Sequence, residues 1–414
     1  MSVVGSPGAR EAAERAARDS YGRLLAYLSA RTRELARAED ALGEALLTAL
    51  ERWPRAGVPE RPEAWLLAVA RRRLIDGSRY ARVQSEAAGA LRILLEGAEA
   101  RAAAPEFPDE RLKLLFVCAH PSIDPAMRTP LMLQTVLGLD ASRIASAFLV
   151  APATMGQRLV REKARIRETG IEWAVPESTA LPARLAAVLE GIYAAYGSGW
   201  DDVAGADPRR RGLAEEALTL GRLVSQLMPE EPEASGLLAL MLHCEARRAA
   251  RRDDAGHYVP LDQQDVSRWS RSLLEEAESA LGAGARAGRP GRFQLEAAIQ
   301  SAHAYRAVSG RTDWEAIALL YEGLVRCAPT VGARVGHAAA LAQARGAPTG
   351  LAALEALAPA DVAGYQPYWA LRGHLLRELG RRADARAAYD RALGLSEDRA
   401  VREFLMAAAT PLGA

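Results

Sequence analysis

The chain of 414 residues has little cysteine, and its three cysteines, Cys118, Cys244 and Cys327, lie far apart. This spacing predicts reduced thiols that pack as small hydrophobic groups, rather than a disulfide framework. The sequence also lacks any run of eighteen apolar residues, so no membrane span is predicted. Its N-terminus contains no apolar core of signal-peptide length. We therefore expect a cytoplasmic protein that makes no use of a membrane.

Aromatic residues are also scarce, at 6%, although half of the residues are hydrophobic. Alanine is abundant, and this composition favours helices packed on helices. Helical periodicity dominates the sequence, and no segment shows a convincing strand alternation. The predicted fold class is all-α.

Lysine is nearly absent, because every basic residue except Lys113 and Lys163 is arginine. The net charge of +1 hides an asymmetry between the two parts of the chain. Residues 1–170 carry 26 basic and 21 acidic side chains, whereas residues 171–414 carry 27 basic and 31 acidic ones. Since arginine abundance alone says little, the placement of the arginines is the informative feature.

The first part of the chain predicts three helices. Residues 20–52 contain two of them, and the second runs from about Arg37 to Trp53. A proline- and glycine-rich break then begins at Pro54. The third helix is expected from near Glu63 to about residue 82.

The rest of the chain is also divided by helix breakers. Residues 83–110 predict a linker that ends in an acidic, proline-bearing stretch. Residues 111–169 predict four short helices, with Pro130 among the residues that separate them. From residue 176 onward, helices alternate with proline or glycine turns.

The C-terminal part has a weak period of 34 residues. Leu324, Ala358 and Ala392 follow one another at this interval, and Tyr321 and Tyr389 are separated by twice as many residues. This period is typical of tetratricopeptide arrays, which stack helix-turn-helix units. The pattern predicts a helical repeat array, with an irregular helical bundle as the alternative.

Residues 140–167 have the pattern of a helix-turn-helix. Asp140 is expected to cap the first helix by accepting backbone N–H bonds. Pro152 suits the first turn of the second helix, where a missing N–H costs nothing. The expected buried face of the first helix comprises Ile144, Ala145 and Phe148.

The second helix of this pair separates an apolar face from a basic one. Met155, Leu159 and Ile166 fall together and predict the core face. A DNA-reading helix needs polar side chains near its N-terminus for base edges and basic ones further along for phosphates. The candidates are Thr154, Gln157, Arg158, Arg161 and Arg165, with Lys163 nearer the core edge. The alternative interpretation is an amphipathic helix with a solvated basic face.

Signals for enzyme chemistry are weak. The sequence has no phosphate-binding Walker loop, no dinucleotide-binding glycine motif and no HExxH zinc motif. Cys118 and His120 are two residues apart, but no second metal-ligand pair accompanies them, so we expect helix packing there. The stretch Asp262–Asp265 predicts a structural contact within the C-terminal part, with a partner or ligand contact as the alternative. We expect no catalytic residue, metal or cofactor.

Residues 36–82 resemble region 2 of extracytoplasmic-function sigma factors, a group within the sigma-70 family of RNA polymerase sigma factors. The helix-turn-helix stands where region 4 of those proteins is expected, and later stretches resemble a subfamily with a C-terminal tetratricopeptide-like extension. The residues that carry the region 2 resemblance are Ala38, Glu39, Asp40, Glu44, Ala45, Trp65, Leu66, Ala70, Arg71, Ile75, Asp76 and Arg79.

This resemblance implies a domain order. A flexible N-terminal segment (1–17) precedes region 2 (18–82), the linker (83–110), region 4 (111–172) and the extension (176–414). The implied function is that of an alternative sigma factor, which directs core RNA polymerase to specific promoters and has no catalytic activity of its own.

The resemblance also assigns expected roles to residues. Glu39, Asp40 and Glu44 would contact a basic coiled coil of the polymerase, while Leu42, Leu46, Leu47 and Leu50 would pack inward. The second helix of the helix-turn-helix would read the minus-thirty-five promoter element. The residues expected to face the minus-ten element are Trp65, Arg71, Arg72, Arg73 and Arg79. For Trp65, anchoring of its helix in the core is the stronger alternative to base stacking, and Asp76 is expected to be structural.

Some positions depart from the family pattern. Gly43 stands where the family usually has glutamine, so a polymerase contact is in question, and glycine in a helix costs about 1 kcal/mol relative to alanine. The alternative function is therefore a sigma-like helical adaptor that no longer initiates transcription. The acidic extension is a candidate regulator of the sigma module. The implied partners are core RNA polymerase, promoter DNA and a small YCII-like protein.

Overall fold

The computed structural model describes residues 7–82, 109–148, 150–177, 179–200, 208–396 and 398–410. Over these ranges the chain folds into helices and connecting turns, and the only β-bridge they contain is an isolated one between Arg252 and Tyr258. The predicted all-α class is confirmed. The chain divides into two compact units, residues 1–198 and residues 199–414.

The first unit contains eight helices within the described ranges. They are α1 (Pro7–Thr32), α2 (Leu35–Ala56), α3 (Pro62–Arg82), α4 (Arg111–Cys118), α5 (Pro125–Leu137), α6 (Ala141–Ala147), α7 (Pro152–Glu168) and α8 (Leu181–Trp200), the last of which crosses the unit boundary. Most of the predicted linker lies outside the described residues. The side chains of Asp76 and Arg79 also lie outside them.

Two prolines that were expected to separate helices lie inside them. Pro54 sits in the last turn of α2, which continues to Ala56 and ends where the N–H of Gly57 donates to the Trp53 carbonyl over 3.0 Å. Gly57 has a φ of 87°, which only glycine adopts at little cost. Pro130 lies within α5, which begins after the cap Asp124 and ends at Gly138. The break expected at Pro54 comes later, at Gly57, and the break expected at Pro130 is wrong.

The core of the first unit forms around α1. This helix packs against α2, α3, α4 and α5, and its Leu24, Leu25 and Leu28 are buried. Its closest approach is to α5, because a Cβ on Gly22 would lie 1.8 Å from the carbonyl oxygen of Val136. Only glycine permits two backbones to approach so closely, so Gly22 fixes the position of α5 on α1.

Helix α8 packs with the first unit. Thr129 Oγ1 on α5 donates a hydrogen bond of 2.7 Å to the carbonyl of Gly191, and Arg184 Nη2 donates one of 2.6 Å to the carbonyl of Phe116. Because of these bonds, the first compact unit extends about 20 residues beyond the position, residue 176, at which the extension was expected to begin.

In the second unit, most helix contacts join helices that are one or two positions apart in sequence. Its α-helices in the described ranges are α9 (Pro208–Leu227), α10 (Pro232–Ala246), α11 (Arg271–Ala285), α12 (Arg292–Ala304), α13 (Arg306–Ser309), α14 (Trp314–Cys327), α15 (Val331–Arg345), α16 (Ala347–Glu355), α17 (Pro359–Val362), α18 (Gln366–Glu378), α19 (Arg382–Leu395) and α20 (Arg399–Ala409).

The two tyrosines of the sequence period each pack on a glycine of an adjacent helix. A Cβ on Gly336 would lie 2.5 Å from the Tyr321 ring, and one on Gly373 would lie 3.0 Å from the Tyr389 ring. Small residues at these positions let a large ring lie flat between two helices. Tyr389 is buried, and burial raises its pKa, so the phenol stays neutral.

The segment Asp262–Asp265 is held by contacts within the second unit. The Arg306 guanidinium donates to the carbonyls of Asp262, Leu261 and Gln264. Asp265 accepts from the N–H of Ser267 over 2.9 Å and so starts a short 3₁₀ turn. The structural contact predicted for this segment is present.

Like His303, His243 of the second unit has a pKa that is lowered by burial. It lies fully buried on α10, and burial, assisted by the nearby Arg247 cation, lowers its pKa to about 4. Glu278 Oε1 lies 3.5 Å from Nε2, but the Glu278 side chain is half exposed and also accepts from Ser301, so its charge is partly screened. The folded protein therefore holds His243 neutral.

We expect the stability of the second unit to fall as the pH drops from about 6.5 to about 4. In this window the unfolded chain binds a proton at His243 and the folded chain does not, at a cost on the order of 3 kcal/mol. Urea unfolding of the wild-type protein and of His243→Leu at several pH values measures this effect. The free energy of unfolding of the variant should depend less on pH than that of the wild type. An unchanged pH dependence would contradict the assignment of this effect to His243.

The α1–α5 contact can be tested with a matched pair of glycine substitutions. Gly22→Ala should lower the free energy of unfolding by at least the ~1–3 kcal/mol typical of overpacking, because its methyl group meets a backbone carbonyl. Gly43→Ala in α2 should raise it by about 0.5–1 kcal/mol, because a Cβ there meets nothing within 4 Å. Chemical denaturation measures both, and equal effects would contradict the close contact.

Candidate functional site on helices α2, α3 and α7

Helix α2 has one buried face and one exposed face. Leu42, Ala45 and Ala49 are buried against the core, whereas Asp40 and Glu44 are exposed. The two carboxylates are four residues apart and therefore project from the same side of the helix. The residues predicted to meet a polymerase thus lie on a free face of α2, with the exception of Glu39.

The prediction that Leu47 and Leu50 pack inward is wrong. Leu47 is 62% exposed and Leu50 is 42% exposed, although Leu42 is buried as expected and Leu46 is half-buried. The helical period explains the difference, since Leu47 follows Asp40 by seven residues and so shares its face. Asp40, Glu44, Leu47 and Leu50 form what we call the α2 surface, in which exposed apolar groups lie beside carboxylates. Such a surface is suited to binding a partner.

Glu39 lies at the edge of the α2 surface and is bound to Lys163 of α7. Lys163 Nζ lies 2.7 Å from Oε1 and 2.6 Å from Oε2 of Glu39. Only 11% of the lysine side chain and 17% of the glutamate side chain are exposed. A residue predicted to contact polymerase and a residue predicted to contact DNA are therefore paired with each other.

Burial dominates the electrostatics around this pair. It raises the pKa of the Glu39 carboxyl, although Lys163 opposes the shift, and it raises the pKa of the neighbouring Tyr21 phenol. Burial also raises the pKa of the Cys118 thiol to about 12. Cys118 is therefore a neutral thiol that packs beside Thr135 in the core, as the sequence predicted.

An open cleft of about 530 Å³ lies between α2 and α7. A Cβ on Gly43 would meet nothing within 4 Å, so this residue leaves the middle of the cleft empty. The side chains or backbone atoms that line the cleft belong to Tyr21, Glu39, Asp40, Gly43, Glu44, Leu47, Gln134 and Lys163.

Helix α3 carries the residues expected at the minus-ten element. Trp65 packs edge-to-face on the buried Trp53, with ring centroids 5.5 Å apart. This contact favours its interpretation as the residue that anchors α3 on α2. Arg71 bonds the Tyr27 hydroxyl on α1, and Arg73 Nε lies 3.2 Å from Glu44 Oε2. Arg72 has an exposed side chain.

Helix α7 is built as the sequence predicted. Asp140 caps α6 by accepting from the N–H of Arg143 over 2.9 Å, and Pro152 occupies the first turn of α7. Met155, Leu159 and Ile166 are buried. The side chains expected to face DNA, apart from Lys163, are exposed: Thr154, Gln157, Arg158, Arg161 and Arg165.

Glu162 is a buried residue of α7 that the sequence analysis did not single out. It lies on the same stripe as Leu159 and Ile166, and its carboxylate is 3.6 Å from Arg161 Nε and 3.6 Å from Arg165 Nη1. Arg165 also donates to the carbonyl of Ser122 over 3.2 Å. Glu162 therefore holds two of the predicted DNA-facing arginines near the helix surface. Its spacing from Met155 was the signal that could have revealed it.

No metal-binding arrangement supports another kind of site. Within the described ranges, no group of three or more histidine, cysteine or carboxylate side chains is placed to hold a metal ion. None of the described helices is both long and apolar enough to cross a bilayer. The candidate site therefore consists of acidic, apolar and basic surfaces.

Comparison with known proteins identifies part of this arrangement. Residues 17–83, which contain α2 and α3, match sigma-70 region 2. Residues 184–285 match a family of unknown function, DUF6596. No solved structure matches the chain.

One relative spans nearly the whole protein. An uncharacterized protein of Rhizobium meliloti (strain 1021) is 38% identical over 384 residues, which cover 91% of this chain and 89% of that protein. The chain belongs to the same family as this relative. Because residues 17–83 match sigma-70 region 2, the chain belongs to the sigma-70 family.

Proposed function

We propose that this protein is an alternative sigma factor of the extracytoplasmic-function type, which directs core RNA polymerase to specific promoters in the cytoplasm. The observation that carries the proposal is the α2 surface. It lies within the segment that matches sigma-70 region 2, and it combines the exposed carboxylates Asp40 and Glu44 with the exposed leucines Leu47 and Leu50. A basic partner surface with apolar side chains is complementary to it.

The DNA-binding part of the proposal rests on α3 and α7. The exposed basic face of α7 has polar residues near its N-terminus and arginines further along, an order that suits base contacts followed by phosphate contacts. Arg158 is the best candidate for reading a base, since a bidentate contact to guanine discriminates by about 1–3 kcal/mol. Arg71, Arg72 and Arg73 place positive charge on α3 for the melted strand.

The second unit supports the proposal of a tetratricopeptide-like extension. In the pair α18–α19, Trp369 precedes Gly373 by four residues and Ala385 precedes Tyr389 by four. The Trp–Gly and Ala–aromatic spacings agree with the W-x2-L-G and A-x3-F parts of the tetratricopeptide pattern, although Arg372 stands at the leucine position and Tyr389 at the phenylalanine position. Arrays of this kind bind other proteins on extended surfaces, so the second unit is where we place the regulation and a small YCII-like partner.

The polymerase contact is tested by truncating one leucine. Leu47→Ala should weaken binding to core polymerase at least tenfold, about 1.4 kcal/mol, because it removes the exposed apolar centre of the α2 surface. Leu319→Ala is a matched control, since Leu319 on α14 is 61% exposed. Fluorescence-detected binding and transcription in vitro with core polymerase measure the effects. Equal binding of both variants, or no promoter-specific transcript from the wild-type protein, would contradict the proposal.

The regulatory role is tested by removing the second unit. If the extension controls the sigma module, a chain that ends at Ser198, where the first compact unit ends, should differ from the full chain in transcription from the same promoter. Circular dichroism checks that the shortened chain is folded. Equal transcription by the two folded proteins would leave the extension without a regulatory role.

A further inference from the structure

We propose that the Glu39–Lys163 ion pair is a latch that closes the free protein, and that core polymerase opens it by placing a basic side chain of its own on Glu39. The proposal rests on the proposed function, because it requires the α2 surface to be the polymerase contact. It adds an intramolecular competitor for that contact, the helix α7.

The geometry of the pair makes it a competitor rather than a chance surface contact. Both carboxylate oxygens of Glu39 accept from the same ammonium group, and both side chains are mostly shielded from water. A carboxylate that is engaged in this way has little capacity left for another cation. Lys163, in turn, cannot offer its charge to a DNA phosphate while it binds Glu39.

The pair also joins two parts that have to act far apart. The minus-ten and minus-thirty-five elements are separated by roughly 25 base pairs, or about 85 Å at ~3.4 Å per base pair. In the first unit, α7 instead touches α2, and α1 packs directly on α5. A sigma factor with this arrangement cannot hold both elements at once. The chain between residues 82 and 109 is long enough to allow the separation, since about 26 residues span up to roughly 85 Å when extended.

The shielding of the pair suggests what opens it. Separation of α2 and α7 exposes both charges to water and gives up the two contacts between Lys163 and Glu39. A basic side chain of the partner that binds Glu39 replaces these contacts. The latch therefore opens more readily when a partner carries such a side chain.

Gly43 gives such a partner access. The cleft of about 530 Å³ reaches Glu39 from solvent, and a longer side chain at position 43 would project into it. Gly43, which departs from the family pattern, thus leaves open a path to Glu39. A basic side chain can reach Glu39 along this path while Lys163 is still bound to Glu39.

The scarcity of lysine provides a direct test in the full-length protein. A carbodiimide joins a carboxylate to an amine that touches it, and each of the two lysines contacts one carboxylate: Lys163 contacts Glu39, and Lys113 Nζ lies 2.6 Å from Glu110 Oε2. Peptide mass spectrometry should detect both crosslinks in the free protein. In the complex with core polymerase, the Lys163–Glu39 crosslink should fall at least fivefold and the Lys113–Glu110 crosslink should persist. An undiminished Lys163–Glu39 crosslink in the complex would overturn the latch and leave the proposed function standing.

Substitution tests the competition independently. Lys163→Met should bind core polymerase about five- to tenfold more tightly than the wild-type protein, because Glu39 loses its internal partner. Arg167→Met is the control, since Arg167 is exposed on the same helix and, among the described residues, its ion pair is with the adjacent Glu168. If Lys163→Met is poorly folded, the double variant Glu39→Gln/Lys163→Met takes its place, because it leaves no unpaired charge. This variant cannot form the Lys163–Glu39 crosslink, and its first unit should be more accessible to proteases than that of the wild type. The latch is overturned if Lys163→Met and Arg167→Met both bind polymerase with the wild-type affinity. If no variant binds polymerase, the proposed function is overturned together with the latch.

Discussion

The contact of α1 with α5 is the constraint on which the first unit depends. Gly22 lets the backbone of α1 reach the Val136 carbonyl, and this contact places α5, and with it α4, against the region 2 helices. Helix α7 then lies beside α2, where Lys163 reaches Glu39. A larger residue at position 22 would meet the Val136 carbonyl, so this close packing of α1 on α5 requires glycine. The packing holds helices of residues 111–168 beside the region 2 segment and so helps to bring the predicted polymerase-binding and DNA-binding surfaces together.

The charges of the first unit are arranged in pairs that limit its free binding groups. Glu39 binds Lys163, Glu44 lies near Arg73, and Arg71 is held by Tyr27. The exposed pair Glu44–Arg73 is weak in water and is readily exchanged for polymerase or phosphate contacts. The shielded pair Glu39–Lys163 is not readily exchanged for such contacts. The protein thus holds the Glu39–Lys163 contact more firmly than the exposed Glu44–Arg73 contact.

The sequence was sufficient for the elements and their local faces. The caps at Asp140 and Pro152 and the core stripe of α7 follow from helical geometry alone, and so does the all-α class. The same period should have placed Leu47 on the exposed face, but the expectation that leucines are buried prevailed, and it was wrong. The Glu39–Lys163 pair could not be predicted, since 124 residues separate its members and only tertiary packing brings them together. The burial of Glu162 was readable from its spacing.

The predicted polymerase-binding and DNA-binding helices lie against each other in the free protein, and we propose that they separate on polymerase. The most direct measurement is the distance between spin labels on the exposed positions 51 of α2 and 167 of α7, in a full-length protein whose exposed Cys327 has been replaced. The account predicts a single short distance for the free protein and an increase to many tens of ångströms in the complex with core polymerase. A short distance that persists in a complex active in transcription would contradict it.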